Sequence, residues 1–73
     1  MALPGELDGR RVLRTLRRLG WQQVRQKGSH HTLVHPERDH PLVIAHHGRI
    51  PRHIVRRILR AADIDEHDFL AAL

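Results

Sequence analysis

The 73 residues contain no cysteine, so neither a disulfide nor a thiolate-bound metal can help hold the chain together. That absence fits a reducing compartment. No apolar run opens the chain, which argues against a signal peptide. Nothing approaches the roughly 20 apolar residues that span a bilayer. The expectation is a soluble, cytoplasmic protein. Catalytic signatures are missing too. There is no glycine-rich phosphate loop of the Walker type. There is no nucleophile elbow, and Ser29 directly precedes His30, a poor geometry for a histidine base to activate a serine. Lysine is nearly absent: of thirteen basic side chains, only Lys27 is not arginine.

What is present is positive charge. Thirteen Lys and Arg face eight Asp and Glu, for a formal net charge of +5. Arginine offers a flat fork of donors that matches phosphate oxygens. A small basic domain points to nucleic acid or another acidic partner, whereas a merely solvated surface would leave the charge unsorted. Here it is sorted by face. Eight histidines make metal binding the next question. His35 to His40 is a five-residue step, and the four-residue step from His31 to His35 would put two ligands on one face of a helix. This stretch does not read as one, and structural zinc usually wants thiolates.

The length allows one domain over residues 1–73. Residues 1–7, with Pro4 and Gly5, read as a loose lead-in. Asp8 can cap a first helix running to Leu19. At 100° per residue, Val12, Leu13, Leu16 and Leu19 share one face, and Arg10, Arg11, Arg14, Arg17 and Arg18 the other. Gly20 suits the position just past that helix. Trp21 to Lys27 reads as a strand, Gly28-Ser29 as a turn, and His30 to His35 as the second strand of a hairpin. Alternation puts His31, Leu33 and His35 on one side and His30, Thr32 and Val34 on the other. If Leu33 faces the core, His30 faces outward. After a polar loop, Leu42 to Ala45 reads as a third, well-buried strand. His46 to Arg49 turns the chain, and Pro51 fits the first position of a second helix. Ile54, Val55, Ile58, Leu59 and Ala62 form its apolar face. Asp65 can cap a short last helix that packs through Phe69, Leu70 and Leu73. Helices and strands segregated in this way predict an α+β fold, with helices on one face of a three-stranded antiparallel sheet.

The turn Lys27-Gly28-Ser29-His30 is where chemistry could reside. Imidazole titrates near neutrality. RNA carries its own nucleophile, the 2′-hydroxyl beside the scissile phosphate. Cleavage needs only a base, an acid and cations to meet the charge that builds on phosphorus. A histidine flanked by Lys27 and arginines supplies most of that without metal.

The run Gly20-Trp21, Val24 to His31 and His35-Pro36, followed by Arg56 to Ile64 and Phe69-Leu70, resembles the HicA family from about residue 8 onward. The resemblance implies a fold similar to the double-stranded-RNA-binding domain, with the order α-β-β-β-α and a short C-terminal helix. It also implies a small toxin of a type II toxin–antitoxin pair. Such a toxin is a ribosome-independent mRNA interferase, needing no cofactor and neutralised by a HicB-type antitoxin. The family's catalytic histidine follows Gly-Ser and maps onto His30. The residues around it make Lys27, Arg25 and Ser29 the candidate phosphate-binding positions. The chain departs from the family pattern at Arg52-His53-Ile54 and at Ala45-His46-His47. Both departures bear on the RNA groove and the antitoxin contact. Two other readings stand beside the nuclease. One is a non-catalytic RNA-binding module of the same fold. The other is an interaction protein whose basic surface meets an acidic partner.

Overall fold

The first helix begins where the sequence places it. In the computed structural model, which describes residues 2–46 and 48–73, the Asp8 carboxylate accepts a hydrogen bond from the Arg10 amide at 2.8 Å and starts α1 (Gly9–Arg18). Val12, Leu13 and Leu16 are buried on its inner face while its five arginines are exposed. Buried Thr15 is satisfied within the helix by donating to the Arg11 carbonyl at 2.7 Å. The helix ends in a Schellman motif. Trp21 N–H donates to Leu16 O at 3.0 Å and Gly20 N–H to Arg17 O at 3.1 Å.

Before α1 lies a short strand, β1 (Glu6–Asp8). After it come β2 (Gln22–Lys27), β3 (His30–Val34), β4 (Leu42–Ala45) and β5 (Arg49–Pro51), then α2 (Arg52–Ala62) and α3 (Glu66–Ala72). Strands β2, β3 and β4 form an antiparallel sheet in that order, and β1 pairs with β5 in a separate two-stranded ribbon. The α+β fold with a three-stranded antiparallel sheet is the one the sequence implies, compatible with the double-stranded-RNA-binding-domain type. One core joins helices and sheet, with Leu16, Leu33, Ile44, Val55, Leu59 and Phe69 among its members.

Three expectations are corrected. The lead-in is tied down rather than loose: Leu3 and Leu7 are only 2% and 3% exposed. Leu7 sits opposite Ile50 in the β1–β5 pairing. Two apolar side chains meeting across such a pair can immobilise a segment whose own strand propensity is weak. Strand β4 is buried on one face only: Leu42 and Ile44 point inward, whereas Val43 is 61% exposed. The helices cover one side of the sheet, so even this apolar edge strand alternates. Pro51 ends β5 and caps α2 from outside, with ψ of 152° and no side-chain hydrogen bond, so the helix starts one residue later, at Arg52. The second helix also closes with a Schellman motif. There Asp63 occupies the left-handed position at φ 55°, and Ile64 N–H reaches Leu59 O at 2.9 Å. Arg38 supports that end by donating to the Ala62 carbonyl at 3.1 Å.

Candidate functional site

The β2–β3 hairpin closes with Lys27 opposite His30 and only Gly28-Ser29 between them. Gly28 has φ of 59°, and Ser29 is not among the residues with positive φ. A positive φ at the first central residue alone is the type II′ pattern, which glycine serves without strain. This turn matches the right-handed twist of the strands it joins. It holds Lys27 and His30 as a directly opposed pair on one face of the sheet.

Sequence alternation alone does not predict the rest of the arrangement. The register shifts between Gln23, which sits opposite Leu33, and Arg25, which sits opposite Thr32. Val24 is therefore the extra residue of a β-bulge. In a regular strand Gln23 and Arg25 would share a face. The bulge separates them, putting Gln23 on the core side with Leu33 and Arg25 on the solvent side with Thr32. Exposed Arg25, Lys27 and His30 thus lie on the outer face of the sheet, alongside exposed Val43 and Ala45 of β4. Ser29 does not join them. It is half-buried in the turn and lines a cavity on the opposite, inner side.

That inner side gathers a cluster the sequence does not assemble. His31 is only 8% exposed. Its Nδ1 lies 3.1 Å from Gln23 Oε1, and the same oxygen accepts from Arg17 Nη2 at 3.0 Å. A guanidinium can only donate, so the amide oxygen faces both partners. His31 therefore carries its proton on Nδ1, leaving Nε2 as the ring's acceptor. The His31 ring stacks on His46, with centroids 4.9 Å apart and planes 11° from parallel. His46 in turn fits against a bare backbone: a Cβ on Gly9 would sit 2.5 Å from its Nδ1, so glycine is required there. Gly9 N–H also donates to the Gly48 carbonyl, which ties the start of α1 to the loop after β4. His47 lies outside the described residues.

The His31 pKa is lowered from the ordinary 6.5, first by burial, then by the neighbouring charges of His46, Arg17 and His30. A histidine with a lowered folded pKa binds fewer protons folded than unfolded, so stability rises with pH across the window below 6.5. Acidification from pH 7.5 toward 5 should therefore lower the thermal midpoint of the wild type. His31→Gln, which keeps a polar group opposite Gln26 but cannot titrate, should show a flatter dependence. Urea or thermal melts of both proteins across that range check it. Parallel curves would mean that His31 does not contribute to the acid sensitivity.

Among the described residues, no three histidine or acidic side chains converge as a metal site would need, and no helix is long and apolar enough to cross a membrane. What converges is positive charge, on both faces of one hairpin.

Fold and surface together define a small, basic α+β domain of the double-stranded-RNA-binding-domain type, with a histidine–lysine pair at a hairpin corner. A comparison with protein families matches residues 9–64 to the family described as "HicA toxin of bacterial toxin-antitoxin". The chain belongs to the HicA family and is a toxin of a toxin–antitoxin system. The matched span contains the whole hairpin, α1 and α2. A comparison with curated proteins finds no match.

Proposed function

We propose that this toxin is an endoribonuclease that cuts mRNA independently of the ribosome, with His30 as its acid–base group. The observation that carries the reading is the position of His30: it is exposed on the uncovered face of the sheet, opposite Lys27 and in line with Arg25. An RNA strand laid across that face meets an imidazole for the 2′-hydroxyl proton or the leaving oxygen. Two cations there can stabilise the dianionic phosphorane-like state. Ser29, which lines the inner side of the turn, is left out of this phosphate contact. No step requires a metal. The partner that silences the toxin is a HicB-type antitoxin covering the outer face, and the setting of both is the cytoplasm.

Two measurements test this together. Induction of the chain alone should arrest growth, and co-expression of a HicB-type antitoxin should relieve the arrest. Purified protein should cut RNA in the presence of EDTA. Tight binding with a steep salt dependence and no cutting at any enzyme concentration would move the assignment to a non-catalytic RNA-binding module.

A further inference from the structure

The inner side of the hairpin carries a second, independent feature. A cavity of about 520 Å³ opens between α1 and the β2–β3 hairpin. Arg10, Arg14 and Arg17 form one wall, with Gln23, Gln26 and His31 opposite. The three arginines fall at i, i+4 and i+7 of α1, so they lie on one stripe of the helix. No acidic side chain lines the cavity. Of the three arginines, Arg17 donates to the Gln23 amide oxygen. Among the described residues, the Arg10 and Arg14 guanidinium groups make no ion pair or side-chain hydrogen bond. Five other arginines are used structurally: Arg49 pairs with Glu6, Arg56 with Glu66, and Arg18, Arg38 and Arg52 reach backbone carbonyls. Arg10 and Arg14 differ from the remaining arginines in facing one cavity together with Arg17. Like charges lined up along one wall of a cavity repel one another, and an anion seated between them removes that repulsion. Guanidinium forks suit the oxygens of phosphate in particular. The cavity is larger than one phosphate needs and falls within the range of small-molecule sites, roughly 300–1,000 Å³. Leu13 and the stacked His31 and His46 rings add flat, apolar surface on which a base can rest.

We infer that this cavity is a nucleotide subsite that holds a phosphate group on Arg10, Arg14 and Arg17 and seats the attached nucleoside against the histidine pair. It lies across the sheet from His30 and shares with that side only the Gly28-Ser29 turn. It stands whether or not His30 cleaves RNA. The phosphate comes either from a chain end or free nucleotide, or from an internal linkage of RNA.

The site is tested by titrating the ¹⁵N-labelled protein with adenosine 5′-monophosphate, with adenosine, and with 2′-O-methyl trinucleotides that bear either a 5′-phosphate or a 5′-hydroxyl and cannot be cut. The nucleotide should shift the side-chain amides of Gln23 and Gln26, and adenosine should not. The double variant Arg10→Gln with Arg14→Gln should bind about tenfold more weakly or worse, because it loses charged hydrogen bonds. Arg57→Gln with Arg60→Gln removes the same charge from α2 and should bind nearly as the wild type does. His30→Ala should bind unchanged, which separates this site from the proposed nuclease centre. A 5′-phosphate that is needed for trinucleotide binding identifies a chain end or free nucleotide as the ligand. Equal binding of both trinucleotides identifies an internal linkage. Equal weakening by the two double variants, or shifts that avoid Gln23 and Gln26, would overturn the site and reduce the cavity to diffuse basic surface.

Discussion

Replacing His30 with alanine is expected to reduce RNA cleavage by roughly 10²–10⁴-fold, the range a positioned proton-transfer group supplies. The protein should remain folded. His30 is exposed and, among the described residues, its side chain makes no hydrogen bond, and surface changes of this kind usually stay within about 0.5 kcal/mol. Neighbouring substitutions sharpen the reading. Lys27→Gln and Arg25→Gln remove charge from the phosphate without removing the proton carrier. Each should lower kcat/KM by about tenfold, and the loss should shrink as salt rises. His31→Ala is the counter-test, because His31 faces the other way and packs on His46. It should lose stability first and activity only in proportion to the unfolded fraction. The measurement is initial cleavage rate on a fixed RNA, with the thermal midpoint of each variant recorded beside it. Undiminished cutting by folded His30→Ala would remove His30 from the mechanism. Abolished cutting by a well-folded His31 variant would transfer the chemistry to the inner face.

The second large effect is expected far from either face. Phe69 is fully buried and anchors α3, a helix of only seven residues. Helices shorter than about 12 residues have little stability of their own. Besides Phe69, α3 is held by half-buried Leu70, the exposed Arg56–Glu66 pair and the hydrogen bond from Arg18 to the Ala72 carbonyl at 2.8 Å. Exposed ion pairs contribute little, typically below about 1 kcal/mol. Phe→Ala in a core costs about 3–5 kcal/mol. A native domain of this length holds on the order of 4–11 kcal/mol in all. Phe69→Ala should therefore remove at least about a quarter of the stability and up to all of it, raising the unfolded population at 37 °C, while Phe69→Leu should retain most of it. Urea unfolding followed by far-ultraviolet circular dichroism measures this directly. A loss below about 1 kcal/mol would mean that α3 is not part of the cooperative unit.

Both predictions depend on the same architecture, and its parts were not equally legible beforehand. The helices were legible because their signals are local. Asp8 and Asp65 cap as expected, and the burial of Val12, Leu13, Leu16, Val55, Ile58 and Leu59 follows the 3.6-residue period. The opposition of His30 to His31 was legible for the same reason, since adjacent residues in a strand must face opposite ways. The β1–β5 ribbon was not legible. Each of its strands is three residues long, and they lie more than forty residues apart in sequence. Such short strands gain almost nothing alone, and it is their pairing in the finished fold, with Leu7 against Ile50 in the core and Arg49 against Glu6 outside, that holds them.

The chain by itself determined where the three helices and the strands of the main sheet form, which way the Lys27–His30 corner faces once Leu33 is inside, and that arginine lines one side of α1. Each of these follows from interactions within a few residues, where backbone geometry leaves little choice. Only the tertiary structure decided that Val24 bulges out and sends Gln23 inward and Arg25 outward, that Gly9 leaves room for His46 to lie on His31, and that the α1 arginines close over the hairpin as a cavity wall. Those outcomes depend on distant segments competing for one small core, and the winning arrangement is set by packing between them.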